Sequence, residues 1–100
     1  MSKDFDFTPR HLESNVELET VAWAENNGWL VRKMSYIGRR GCPDRFFFGY
    51  GKVAMIEFKK KGGRLSEHQV KEHARLEELG LQVMVFYTSV EAIAHLKTLM

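Results

Sequence analysis

Between residues 45 and 87 the chain reads as a hairpin, a helix and a further strand, and that order restricts the fold more than any other feature. Phe46-Phe47-Phe48 and Val53-Ala54-Met55-Ile56 flank Gly49-Tyr50-Gly51-Lys52. Two bulky apolar runs around glycines predict strands over Arg45 to Tyr50 and Val53 to Lys59, joined by a tight turn. Ser66 and Gln69 then stand at capping-box spacing, with Leu65 and Val70 placed as a hydrophobic staple. A helix runs from there through Leu76 and Leu79 to Gly80, before the strand-like Leu81 to Tyr87. A strand reached through a crossover helix pairs parallel with its neighbour, so the sheet is mixed.

The flanks complete the pattern. Thr8-Pro9 fits a helix start, and residues 10–27 place Leu12, Val16 and Trp23 on one stripe, broadened by Leu18, Val21 and Ala22. Gly28 is a stop, Trp29 to Ser35 alternates as a strand, and Gly38-Arg39-Arg40-Gly41 is a basic loop. Thr88 and Glu91 repeat the capping-box spacing before a last helix ending near Leu99. The expected order is α-β-β-β-α-β-α, an α/β fold with a mixed central sheet flanked by helices. One hundred residues make a single domain, with residues 1–9 as an N-terminal arm.

Composition narrows the setting. With 44% hydrophobic and 28% charged residues, this is the composition of an ordinary soluble globular chain. It contains no apolar run of about 20 residues to span a membrane and no signal-peptide core. The lone Cys42 excludes an internal disulfide and fits a reducing, cytoplasmic setting. The net charge is only +2, yet Val31 to Arg64 holds ten bases against two acids, +8, while the remainder holds five against eleven, −6. A basic segment of that size suits a phosphate backbone, though it is equally the pattern of a solvated face.

The two acids of that segment are Asp44 and Glu57. A hairpin brings Asp44 to the end of the sheet where Glu57 and Lys59, two apart on one strand, share a face. Two carboxylates there form a hard oxygen site suited to Mg²⁺ or Mn²⁺, and a lysine beside them can orient or help deprotonate a water. The plainer alternative is a turn aspartate and a solvent-face Glu57/Lys59 pair. Against it, Glu57 sits between Ile56 and Phe58, where an unpartnered acid is costly. His11, His68, His73 and His95 lack zinc-ligand spacing. Trp23 and Trp29 fit a core, and Tyr36 suits a core or rim position better than a base stack.

Gly41-Cys42-Pro43-Asp44 and Glu57-Phe58-Lys59 resemble the PD-(D/E)xK nuclease signature. With Gly38-Arg39-Arg40-Gly41 and Gly63-Arg64-Leu65-Ser66-x-x-Gln69, the chain from about residue 12 to 96 resembles the VRR-NUC family, including its stand-alone phage and bacterial members. The resemblance implies a restriction-endonuclease-like core and metal-dependent hydrolysis of DNA, often at four-way (Holliday) junctions or flaps. It implies Asp44 and Glu57 as metal ligands, Lys59 as the catalytic lysine and Gln69 as a support to the site. It also implies a carboxylate on the first helix as a further metal ligand, for which Glu17 is preferred and Glu13 is the alternative. Cys42 stands where the family has a small or aliphatic residue, and reads as a filler, not a nucleophile. Arg39, Arg40, Lys60, Lys61 and Arg64 are the expected phosphate contacts. A homodimer would provide two cuts at a symmetric junction, through the first helix or through Leu81 to Met100. Two other functions fit the same chain: an idle DNA-binding module, or a nuclease on nicked or single-stranded DNA that needs a partner.

Overall fold

The computed structural model describes residues 13–100. Helix α1 (Glu13–Asn26) precedes β1 (Leu30–Lys33), β2 (Arg45–Gly49) and β3 (Lys52–Phe58). Then come α2 (Glu67–Glu78), β4 (Val83–Phe86) and α3 (Ser89–Thr98). The Thr8-Pro9 start, Leu12 and the N-terminal arm lie outside the described residues. The four strands form one sheet in the order β1-β2-β3-β4, antiparallel twice and then parallel. This is the expected α-β-β-β-α-β-α order with a mixed sheet.

The hairpin closes more tightly than its four-residue punctuation implied. Gly49 pairs with Lys52, leaving only Tyr50 and Gly51 in the turn, at φ 55° and 72°. Two successive positive φ values make a type I′ turn, whose twist matches the strands. Tyr50 tolerates this backbone because its ring packs edge-on to Trp29 at 5.0 Å and its hydroxyl donates to the Asn27 carbonyl. The helix starts also follow the sequence. Gln69 N donates to Ser66 Oγ at 3.1 Å and Ser66 N to Gln69 Oε1 at 2.8 Å, a complete capping box. Thr88 Oγ1 accepts from Glu91 N at 3.1 Å.

Three expectations are corrected. Strand β1 is four residues long, and Trp29 and Ser35 fall outside it, since register with β2 runs only from Leu30↔Phe48 to Lys33↔Arg45. Leu18 and Ala22 face solvent, and α1 instead buries Val16, Thr20 and Ala24, the residues spaced one turn apart toward the sheet. The staple is weak because Val70 is 53% exposed, and Leu79 is exposed as well.

Alternation divides the sheet into two unlike faces. Val31, Phe47, Ala54, Ile56 and Phe58 pack with Val16 and Ala24 of α1 and Ala92 and Leu96 of α3 to form the apolar core. Trp29 joins this core, and Trp23 packs against it. Asp44, Glu57 and Lys59 alternate onto the opposite face, where α2 lies. That helix buries Glu72 and His73 instead of aliphatic side chains.

Candidate active site

The site begins with strand register. Arg45 pairs with Ile56, which puts Asp44 beside the end of β3, and Phe58 N donates to Asp44 Oδ2 at 2.9 Å. Asp44 O accepts from Met34 N at 3.1 Å, so the residue is held from both neighbouring strands. Pro43, just before it, is fully buried and fixes the approach of the loop. Glu57 lies on β3 and is 1% exposed. Lys59 N donates to Phe86 O at 3.0 Å, which extends the β3–β4 pairing far enough to aim its side chain like that of Glu57.

Glu57 Oε2 accepts from Gln69 Nε2 at 2.8 Å and faces Lys59 Nζ at 3.5 Å. Gln69 thereby does two jobs: its amide oxygen caps α2 while its amide nitrogen holds Glu57. The second carboxylate oxygen, Oε1, is buried and has no hydrogen-bond partner. Burial first, and then the neighbouring Asp44 carboxylate, push the Glu57 acid up to about 8, and Lys59 only partly offsets them. Two adjacent acids, one buried with an open oxygen, form a locus that gains from a cation.

Glu17 takes a different position. It is nearly buried, at 9% exposure, and its Oε2 accepts from Lys33 Nζ at 3.3 Å and from Arg45 Nε. Lys33 and Arg45 are paired in register and project from the α1 side of the sheet. The structure therefore brings Asp44, Glu57, Lys59 and Gln69 together, and sets Glu17 among bases across the sheet. Among the described residues no three His, Cys, Asp or Glu side chains are grouped to hold a metal ion. Glu13 opens α1, but its side chain lies outside the described residues.

The remaining candidates fall into place around these four. Lys60, Lys61 and Arg64 are exposed in the turn after β3, which Tyr87 braces by donating to Gly63 O at 3.1 Å. Arg39 and Arg40 are exposed on the loop before Asp44. Tyr36 is a rim residue whose hydroxyl donates to Glu72 Oε2 at 2.8 Å; burial and then that hydrogen bond push it up to about 12. Burial, followed by the charge of Glu57, raises the Cys42 thiol above its ordinary value, which keeps it protonated and suits a filler.

Sequence reasoning placed α2 but missed its buried polar residues, Glu72 and His73. Glu72 links the loop to the helix, accepting from Tyr36 and, at 3.4 Å, from Arg75 Nη1. His73 is buried with Nε2 unpartnered, and that burial lowers its basicity. The available signal was the helical spacing of His68, Lys71, Glu72 and Arg75, which places polar groups, not leucines, along one side of the helix.

The mixed sheet, the three helices and the carboxylate–lysine site define a class of α/β domain, and comparison with known proteins identifies which. No family model matches the chain. A solved structure described as a VRR_NUC domain superposes with a TM-score of 0.77 at 30% identity, over 85% of this chain and 94% of that one. The chain is also 38% identical over 74 residues to "Putative nuclease p44" of Acyrthosiphon pisum secondary endosymbiont phage 1, covering 73% of this chain and 80% of that protein. The chain belongs to the VRR-NUC family.

Proposed function

We propose that the protein is a Mg²⁺- or Mn²⁺-dependent DNA endonuclease that hydrolyses phosphodiester bonds, acting at branched DNA such as four-way junctions or flaps. The observation that carries the metal is Glu57: a buried acid with one open oxygen, raised by burial and by Asp44, beside Lys59. A proton relieves that arrangement only partly; a hard dication relieves both carboxylates at once. Mg²⁺ commonly uses one or two protein carboxylates and completes its shell with water and substrate phosphate, so the Asp44/Glu57 pair suffices.

In this reading Asp44 and Glu57 are the ligands that hold the ion at the end of β3. The ion, when bound, supplies positive charge to the attacked phosphate and acidifies a water. Lys59 positions that water and stabilises the charge growing on the phosphate oxygens. Gln69 keeps Glu57 in one rotamer through its 2.8 Å bond. Glu17 serves the site by holding Arg45, the residue after Asp44, in place. Arg39, Arg40, Lys60, Lys61 and Arg64 contact DNA phosphates.

A homodimer belongs to the same proposal. Its support is an apolar groove of about 530 Å³ whose lining includes Phe46, Phe48, Met55, Leu81 and Leu99, partly within the Leu81 to Met100 segment. No helix among the described residues is long and apolar enough to cross a membrane.

The test is cleavage of labelled four-way junction, flap, linear duplex and single strand, each with Mg²⁺, Mn²⁺ or EDTA. Metal-dependent cutting, strongest on branched DNA and lost in Glu57→Ala and Lys59→Ala, is the expected result. Tight binding without cutting on every substrate would return the protein to a binding module. Light scattering that gives one chain, with and without DNA, would remove the dimer.

A further inference from the structure

A second basic site lies along α2, apart from the Lys60–Arg64 turn. Gly38, Arg39 and Arg40 of the loop and His68, Lys71 and Arg75 of α2 line one open groove of about 390 Å³. The five side chains come from two elements far apart in sequence, yet the groove is built, not accidental. A Cβ on Gly41 would sit 2.5 Å from His68 O and 2.9 Å from the Glu72 Cβ, so only glycine lets the loop seat against the helix. The Tyr36–Glu72 bond of 2.8 Å pins the loop from its other end.

The cations are available. Lys71 meets Glu67 only at 3.8 Å, with both side chains more than half exposed, and such pairs contribute little. Arg75 reaches Glu72 at 3.4 Å through Nη1 and is itself 57% exposed. From His68 to Arg75 the helix advances about 10 Å at 1.5 Å per residue. One DNA strand climbs about 3.4 Å of axis per phosphate while winding around it, which sets successive phosphates roughly 7 Å apart along the backbone. The groove therefore matches roughly two successive phosphates, not one.

We propose that this groove holds a continuous stretch of DNA backbone on one side of the cut, making Lys71, Arg75 and His68 substrate-binding residues. The inference rests on the nuclease reading and deepens it. Gln69, which holds Glu57, is the neighbour of His68, so a strand in the groove leads away from the reacting phosphate along α2. The Lys60, Lys61 and Arg64 turn precedes α2, is braced by Tyr87 and lines no part of this groove. The two basic surfaces thus divide the DNA into arms, and the α2 arm needs at least about two nucleotides to fill its side.

The experiment measures binding of the full chain to a fluorescent duplex in EDTA across a salt series, followed by cutting of duplexes trimmed stepwise on either side of the cut. Replacing both Lys71 and Arg75 with Ala lowers the log–log salt slope by about 1.8, two contacts at about 0.9 each. Removing Lys97, a base of α3 lying over Trp23, leaves the slope unchanged. The exchanged pair Lys71→Arg with Arg75→Lys keeps most of it. Trimming one arm slows the wild type sharply and the double alanine variant less. An unchanged slope in the double variant, while the wild type cuts DNA, overturns the groove and leaves the nuclease standing. A lowered slope with no cutting on any substrate overturns the nuclease and leaves the groove. A trimmed duplex that regains full affinity merely by ending in a phosphate also overturns the continuous-backbone reading.

Discussion

The two faces of the sheet use burial in opposite ways. On the α1/α3 face, Phe47, Ile56 and Phe58 are fully buried against apolar partners, and burial stabilises the fold. On the α2 face Glu57, Glu72 and His73 are buried beside Met55 and Val83, and burial works against the ionisable groups. One strand feeds both: Ile56 and Phe58 point one way and Glu57 the other. The contrast teaches that β3 sets a buried acid between two core residues, with no spacer between the two faces.

The largest effect expected separates the faces by activity. Lys59→Ala should lower cleavage about 10²–10⁴-fold with the melting temperature nearly unchanged, as read by cleavage assay and thermal melt together. A parallel collapse of the fold would show that the α2 face is structural after all. On the other face, Phe47→Ala should cost about 3–5 kcal/mol in a urea titration, the usual loss for a buried phenylalanine. A cost below about 1 kcal/mol would blur the distinction just drawn.

The pH dependence of stability tests the price of the buried acid. Glu57 rises from 4.5 to about 8 in the folded protein, so between these values the folded state binds the extra proton. Stability of the metal-free protein should therefore be full below about pH 4.5, fall as the pH rises toward 8, and level off above. Glu57→Gln should flatten that decline, and Mg²⁺ or Mn²⁺ should counter it by occupying the site. Equal slopes for wild type and Glu57→Gln would rule out this source. The smallest effect concerns Gln69. Gln69→Ala should cost about 1 kcal/mol by weakening the cap, and should also slow cleavage by freeing Glu57. Gln69→Glu keeps a capping oxygen but places an acid against Glu57, so it should retain stability better than activity.

Where local chemistry decides structure, the sequence was a good guide. Ser66 and Gln69 marked the start of α2, Thr88 that of α3, and the glycines around Tyr50 marked the hairpin. Asp44, Glu57 and Lys59 converge as their spacing on adjoining strands suggested, and Gln69 joins them as the family resemblance implied. What escaped depended on distant partners. The length of β1 is set by its register with β2, and the buried side of α1 by where the sheet lies. Glu17 could be placed on a helix but not assigned its partners, since Lys33 and Arg45 meet it only through pairing of β1 with β2. The polar buried side of α2 contradicts the usual amphipathic rule, because that helix covers a site and not a core.

Asp44 takes its aim from the amide nitrogen of Phe58, a main-chain donor. Residue 58 can therefore change its side chain, and be tuned for the core behind it, without disturbing the carboxylate in front. Only proline, which has no N–H, removes that donor. The peptide bond insulates the chemistry of one face from repacking of the other.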